Sequence, residues 1–114
     1  MSLIWKKDKN IELINEFIDS NLVEKGNTKN TASAYNNDLI QFTDWLNKKK
    51  FELKNLTENN LEAYLIHLGK RGYKASSISR KTACLKAFFK FLLSENYKNN
   101  NLMKNINRTN SSKL

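Results

Sequence analysis

Basic side chains cluster between residues 76 and 93, in a stretch that contains no aspartate or glutamate. They are Arg80, Lys81, Lys86 and Lys90. Guanidinium and ammonium groups bind anions, and a row of them along a helix suits the phosphates of nucleic acid. A run of charge is most often only a solvated helix face, so the rest of the chain has to decide between the two interpretations.

The positive charge of the whole chain is concentrated in its last part. The formal net charge is +9, but residues 1–68 hold nine Lys and Arg against ten Asp and Glu. Residues 69–114 hold eleven Lys and Arg against one acid, Glu95. This asymmetry favours a directed contact with an anionic partner. A membrane surface is the weaker candidate, because the apolar side of the basic stretch is needed for a core.

Side chains suited to catalysis or metal binding are scarce. His67 is the one histidine and Cys84 the one cysteine, which predicts neither a metal cluster nor a nucleophile with its base. Glu58 and Glu62 have the spacing of a solvated helix face, and the glycines form no phosphate loop. We therefore expect this chain to have no enzymatic activity, cofactor, metal or small-molecule ligand.

Length and composition predict one globular domain. A chain of 114 residues can bury a single hydrophobic core, and it has no apolar run of about 18 to 20 residues that would span a bilayer. Its start has no apolar signal-peptide segment. Cys84 lies in an apolar pattern, which predicts a buried, inert thiol and fits a cytoplasmic location.

Hydrophobic spacing predicts four helices and no strands. Their limits are set by capping residues and glycines: residues 9–25; Asn30, as a cap, to Lys49; Thr57, as a cap, to Gly69 or Gly72; and a fourth helix capped by Ser76 or Ser77. The short connections predict a single four-helix bundle. We expect an N-terminal segment over residues 1–8, the helical domain over 9–98, and a flexible tail or linker over 99–114.

Each predicted helix has one stripe of residues expected to be buried. The stripes are Ile11, Ile14, Phe17, Ile18 and Leu22; Ala32, Tyr35, Leu39, Phe42 and Leu46; Leu61, Tyr64, Leu65 and Leu68; and Ile78, Leu85, Phe88, Phe89 and Leu92. On the fourth helix Arg80, Lys86 and Lys90 then face outward beside small side chains, which would allow close approach to a phosphate backbone. On the second, hydroxyl and amide groups face outward and can contact base edges or phosphates.

These faces define the candidate DNA-binding residues. They are Lys29, Thr31, Ser33, Asn37, Lys74, Ser76, Ser77, Ser79, Arg80, Lys86 and Lys90. The carboxylates of Asp38 and Asp44 follow on the second helix, so we expect an anion mainly at its amino-terminal half.

Three stretches, in this order, resemble the core-binding domain of tyrosine recombinases, the family of phage integrases and Xer-type enzymes. They are NTASAYNNDLIQFTDWL (30–46), LTENNLEAYLIHL (56–68) and SSISRKTACLKAFFKFL (76–92). The resemblance covers about residues 9–106 and implies a SAM-like helical bundle. The chain departs from the family pattern at Thr82, where an aliphatic residue is usual, and in lacking a proline after the fourth helix.

The resemblance also implies a function. In this family the domain and a larger catalytic domain clamp duplex DNA at a recombination site, and the second and fourth helices face the major groove. By position, the contacts would include Thr31, Asn37, Ser77, Arg80 and Lys86. The family's catalytic residues belong to the other domain, and none maps onto this chain. The domain alone is then expected to be a monomer, and the full-length parent a tetramer on DNA.

Two other interpretations stay open. A helical interaction module would use the same basic face against an acidic protein. A stand-alone helix-turn-helix regulator fits less well, because no short glycine-containing turn joins a helix pair in the usual arrangement.

Overall fold

The computed structural model describes residues 2–24 and 29–97, with the side chains of 9–21 and 29–97. Within these ranges the chain has an all-α fold without strands, as predicted. The elements are α1 (Ser2–Glu24), α2 (Lys29–Lys49), a 3-10 helix (Leu53–Asn55), α3 (Glu58–Lys70) and α4 (Ala75–Ser94). The predicted flexible tail, residues 99–114, lies outside the described residues.

The helices belong to two compact units, residues 1–53 and 54–114. In the first unit α1 packs against α2, and in the second α3 packs against α4. The domain limits expected from the sequence, residues 9–98, stay a prediction.

The predicted stripe of α2 is confirmed except at Tyr35. Leu39, Phe42 and Leu46 are fully buried, and Ala32 is buried with them. Tyr35 is half-buried and its ring stacks on the ring of Phe17 of α1, with 6.2 Å between the centroids. The first unit thus has an apolar core to which α2 contributes one whole side.

The predicted stripe of α1 is partly wrong. Ile14 and Phe17 are buried, but Ile11 is 40% exposed, whereas Leu13 is only 5% exposed. The buried row continues through Asn21, whose side-chain Nδ2 donates to the Phe17 carbonyl at 3.1 Å. Because this asparagine satisfies its amide within its own helix, it can be buried where an apolar pattern would not place it.

The start of α1 also differs from the prediction. The helix begins at Ser2, not near Lys9. No glycine or proline stands between these residues, so nothing in the sequence stops the helix from extending toward the N-terminus.

In the second unit the predicted stripes are largely confirmed. The buried side chains include Leu61, Tyr64, Leu65 and Leu68 of α3 and Leu85, Phe88, Phe89 and Leu92 of α4. Cys84 is also buried, as predicted, whereas Ile78 is half-buried. Thr82 is buried with its hydroxyl donating to the Ile78 carbonyl at 2.7 Å, so its polar atom is satisfied locally.

Of the predicted N-caps, the one at the start of α3 is confirmed. Thr57 forms a capping box with Asn60: its hydroxyl accepts from the Asn60 N–H at 3.2 Å, and its own N–H donates to the Asn60 side chain at 3.0 Å. By contrast, α2 begins at Lys29, so Asn30 lies inside its first turn and not at the cap.

The predicted caps of α4, Ser76 and Ser77, are wrong. The helix begins at Ala75, and its N-cap is Lys74, whose backbone is extended and whose side chain makes no capping hydrogen bond. The Lys74 carbonyl already accepts from the Ile78 N–H at 3.0 Å, so helical bonding starts before either serine.

Three helices end on the same backbone motif. Each ends with a residue in the left-handed region followed by an aromatic residue: Lys50 then Phe51, Gly72 then Tyr73, and Asn96 then Tyr97. The aromatic N–H donates to the carbonyl five residues earlier, at 2.8 to 3.3 Å, which is the Schellman arrangement. Gly72, with φ of 90°, is therefore the effective stop of α3.

Candidate nucleic-acid interface

The exposed side of α4 lies opposite its buried side. At about 100° per residue, six of its exposed residues fall within an arc of about 120° that faces away from Leu85 and Leu92. We name this set the α4 face: Ser76, Ser79, Arg80, Ala83, Lys86 and Lys90. It combines three cations with three short side chains.

The α4 face is a continuous positive surface along the helix. From Ser79 to Lys90 it runs for about 16 Å, at about 1.5 Å per residue. No carboxylate on α4 neutralises it, since the first acid after Leu68 is Glu95, beyond the end of the helix. Exposed cations on a helix that carries no acidic residue give a surface that attracts anions.

Lys81 differs from the other basic residues of α4. It is only 7% exposed, and its ammonium nitrogen lies 5.0 Å from the centroid of the Tyr73 ring. This is the geometry of a cation–π contact, which gains strength when the cation is shielded from water. The Tyr73 N–H also donates to the Leu68 carbonyl at the end of α3. Lys81 therefore links α4 to the α3–α4 connection through its contact with Tyr73.

The α3–α4 connection adds basic side chains at the start of α4. Lys70, Arg71 and Lys74 are all exposed around Gly72. The first turn of α4 holds no acidic residue, and the positive end of its helix dipole lies there too. Lys74 was among the predicted contacts, but Lys70 and Arg71 were missed. The run KRGYK, with three cations in five residues, was the available signal.

The exposed side of α2 has a different character. We name the α2 face its exposed residues within an arc of about 80°: Lys29, Ser33, Asn37, Ile40, Asp44 and Asn47. One cation stands at its start and one carboxylate further along. Between them lie a hydroxyl, an amide and an apolar side chain, so the α2 face carries no net charge.

The two aspartates of α2, which were both expected to disfavour an anion, differ in solvent exposure. Asp38 is only 5% exposed, whereas Asp44 is exposed on the α2 face. Only Asp44 is therefore placed to repel an anion approaching this face from solvent.

Most predicted contact residues lie where a partner can reach them. Nine of the eleven are exposed, and Thr31 and Ser77 are half-buried. Thr31 lies about 160° around its helix from Ser33, and Ser77 about 160° from Ser79. The structure thus gathers Lys29, Ser33 and Asn37 on one side of α2, and five predicted residues on one side of α4. The two sets belong to different compact units.

His67, the one histidine of the chain, lies on α3. His67 is half-buried, and its ring stacks near that of Tyr64 at a centroid distance of 6.3 Å. Across the described part of the chain, no group of three or more His, Cys, Asp and Glu side chains is placed to hold a metal ion. Nor does any described helix have the length and apolar character needed to cross a membrane.

Comparison with known families identifies the class of this domain. Residues 14–96 match the family model described as the phage integrase N-terminal SAM-like domain. The chain belongs to this family, and the resemblance to tyrosine recombinases seen in the sequence is confirmed.

The chain is also similar to individual proteins that are named tyrosine recombinases. Tyrosine recombinase XerD of Rickettsia bellii is 34% identical over 96 residues, which are 84% of this chain and 32% of the relative. XerD of Haemophilus influenzae is 34% identical over 90 residues, 79% of this chain and 30% of the relative. XerC of Herpetosiphon aurantiacus is 35% identical over 80 residues, 69% and 26% respectively. The chain therefore spans about a third or less of the length of these relatives.

Proposed function

We propose that this chain is the DNA-binding, or core-binding, N-terminal domain of a site-specific tyrosine recombinase, and that it clamps duplex DNA at the recombination site. The observation that carries the proposal is the α4 face, where Arg80, Lys86 and Lys90 are exposed on a helix without any acidic residue. A polyanion with regularly spaced charges is the partner that such a row fits.

Each side chain of the α4 face has a role in this proposal. Arg80 can bond two phosphate oxygens at once through its planar guanidinium, whereas Lys86 and Lys90 act as point charges. Ala83 is small enough to let the helix backbone come close to the phosphates. Ser76 and Ser79 add hydroxyl donors, which commonly contact the DNA backbone.

The start of α4 extends the proposed contact. Lys74 is exposed at the N-cap, with Lys70 and Arg71 nearby in the connection. Cations at a helix N-terminus reinforce its dipole in attracting phosphate. Ser77 is half-buried, so we assign it a lesser part than the exposed residues.

The α2 face is the second region of the proposed contact. Lys29, Ser33 and Asn37 are exposed on its amino-terminal half and can bond phosphates or base edges. Thr31 is half-buried on another side of the helix and can take part only at its margin.

The parent protein would supply the chemistry. The relatives are named tyrosine recombinases and are about three times longer than the part matched here. We propose that strand cleavage and rejoining reside outside the present residues, that this chain alone binds duplex DNA as a monomer, and that the parent assembles as a tetramer on DNA. Incubation with supercoiled plasmid should then yield no nicks and no covalent protein–DNA adduct; either product would contradict this division.

Binding to DNA can be separated from binding to an acidic protein by competition. The chain is mixed with a fluorescently labelled duplex, and anisotropy is followed as unlabelled duplex or polyglutamate of equal charge concentration is added. The proposal predicts that duplex DNA displaces the label and that polyglutamate does so far less. Equal competition by polyglutamate would favour the acidic-protein interpretation.

A further inference from the structure

Lys81 places a charged side chain on the buried side of α4. It is only 7% exposed and lies four residues before Leu85, which is buried on the same side of the helix. Burying an ammonium group costs free energy, whereas a methionine of nearly the same length would be buried there without that cost. Packing alone therefore does not account for a lysine at this position.

The contact of Lys81 leads to the α3–α4 connection. Its ammonium nitrogen lies 5.0 Å from the centroid of the Tyr73 ring, which is within the range of a cation–π contact. Tyr73 is half-buried and is the one aromatic residue of the segment KRGYK (70–74). We name the three exposed cations of this segment the connection cations: Lys70, Arg71 and Lys74. The buried lysine thus lies against the aromatic ring in the middle of an exposed basic segment.

The start of α4 has no side-chain cap, unlike the start of α3, which has a capping box. Backbone hydrogen bonds join the connection to both helices. The Tyr73 N–H donates to the Leu68 carbonyl at 3.3 Å, and the Lys74 carbonyl accepts from the Ile78 N–H at 3.0 Å. The contact between residues 73 and 81 adds a side-chain link that reaches across about two turns of α4. Such a link restricts how the connection is oriented relative to the helix.

From these observations, and resting on the proposed function, we infer that Lys81 is a positioning residue for DNA binding. It holds the ring of Tyr73 and thereby orients the α3–α4 connection, so that the connection cations meet the phosphates together. Lys81 is too buried to contact a phosphate itself. Its effect arises because a segment already ordered in its bound orientation loses less conformational freedom on binding.

Two substitutions break the contact in different ways. Lys81→Met removes the ammonium group and keeps most of the side-chain length, whereas Tyr73→Leu removes the ring and leaves every charge in place. The 114-residue chain and both variants are titrated with a fluorescently labelled duplex across a salt series. We expect each variant to flatten the plot of log affinity against log salt by about 0.9 to 1.8, the value of one or two lost phosphate contacts.

Matched controls keep the contact. Lys81→Arg retains a cation over the ring, and Tyr73→Phe retains the ring without its hydroxyl, so both should show the parent slope. Lys81→Met is also added to a chain whose connection cations are all replaced by alanine. There it should flatten the slope no further, because the cations that it positions are gone. Circular dichroism at the temperature of the titration verifies that each variant is folded.

The outcomes separate this inference from the proposed function. If the parent chain binds duplex DNA but only one or neither of Lys81→Met and Tyr73→Leu flattens the slope, the inference is overturned and DNA binding stands. Equal flattening by Tyr73→Phe and Tyr73→Leu would assign the effect to the hydroxyl and overturn it as well.

The chain without connection cations gives an independent decision. Further flattening by Lys81→Met in that chain would show that Lys81 acts elsewhere, which overturns the inference. If Tyr73→Leu does not fold, the comparison of Lys81→Met with Lys81→Arg in both backgrounds decides alone. A parent chain that binds no duplex overturns both proposals.

Discussion

α2 and α4 are built alike on their buried sides and differ on their exposed sides. Each buries seven residues, among them one charged side chain, Asp38 on α2 and Lys81 on α4. Each also buries a threonine whose hydroxyl donates to a carbonyl one turn earlier, Thr43 to Ile40 at 3.1 Å and Thr82 to Ile78 at 2.7 Å. Outward, α4 carries three cations, whereas the α2 face is neutral.

This difference suggests a division of labour under the proposed function. Phosphate contacts supply most of the affinity of a DNA-binding protein and respond to salt, whereas contacts to base edges supply specificity. A cationic α4 face and a neutral α2 face would provide these two terms from two helices. The similar buried sides then serve only to hold each face in place.

The largest expected effect tests the similarity of the buried sides. Phe42 of α2 and Phe89 of α4 are 0% and 1% exposed, so replacing either with alanine leaves a cavity in a packed core. Each change should lower the free energy of unfolding by about 3–5 kcal/mol. Urea denaturation followed by circular dichroism measures this, with Ile66→Ala, a change at a 53% exposed residue, as the nearly neutral control.

Unequal losses would break the comparison. If Phe42→Ala unfolds like the parent chain while Phe89→Ala is severely destabilised, the buried side of α2 is not the one described, and the α2 face must be reassigned.

A smaller effect concerns the buried charge of α4. Lys81→Met keeps most of the side-chain length but removes the ammonium group that lies over Tyr73. In a double-mutant cycle with Tyr73→Leu, we expect a coupling free energy of about 1 kcal/mol, since the two groups interact directly. The same cycle with Lys86→Met is the control and should be additive, because Lys86 is exposed on the opposite side of the helix. Additivity in both cycles would show that Lys81 does not stabilise the packing of α4 on the α3–α4 connection through Tyr73.

Smaller still is the effect expected from the two buried threonines. Thr43→Val and Thr82→Val should each change the free energy of unfolding by less than about 1 kcal/mol. The lost hydroxyl leaves no buried group unsatisfied, because each carbonyl keeps its helical hydrogen bond. Thermal melts of the two variants should therefore stay close to the parent. A large loss at Thr82 alone would show that the two helices are not equivalent on their buried sides.

The sequence predicted most of this architecture because α2, α3 and α4 follow simple rules. Their buried apolar residues recur three or four positions apart, as on one side of a helix. Thr57 also has the partner that a capping box requires. What pattern reasoning missed involves polar residues that are buried. Asn21 hydrogen-bonds within its own helix, and Lys81 lies over the ring of Tyr73, a residue outside α4. Both side chains are therefore buried although they are polar.

The two predicted faces also show the limits of reading a helix from spacing alone. Periodicity placed Arg80, Lys86 and Lys90 outward correctly. It could not place the caps of α4, because the start of that helix is set by the left-handed turn at Gly72 and not by a serine side chain. The sequence did not single out Ile40, because one isoleucine in a polar row carries little signal until its exposure in the fold is known.

The most direct test of the division between the faces is the salt dependence of duplex binding. Fluorescence anisotropy across a salt series compares the parent chain with three triple alanine variants. The first changes Arg80, Lys86 and Lys90 on the α4 face; the second changes Ser33, Asn37 and Ile40 on the α2 face; and the control changes the exposed residues Lys48, Lys49 and Lys54.

We expect the α4 variant to bind more weakly and to flatten the plot of log affinity against log salt by about 0.9 per lost phosphate contact, or about 2.7 in all. The α2 variant should keep the parent slope while losing its preference among sequences, and the control should leave both nearly unchanged. Equal flattening by the α4 variant and the lysine control would mean that diffuse charge drives binding, and the assignment of phosphate contacts to the α4 face would be contradicted.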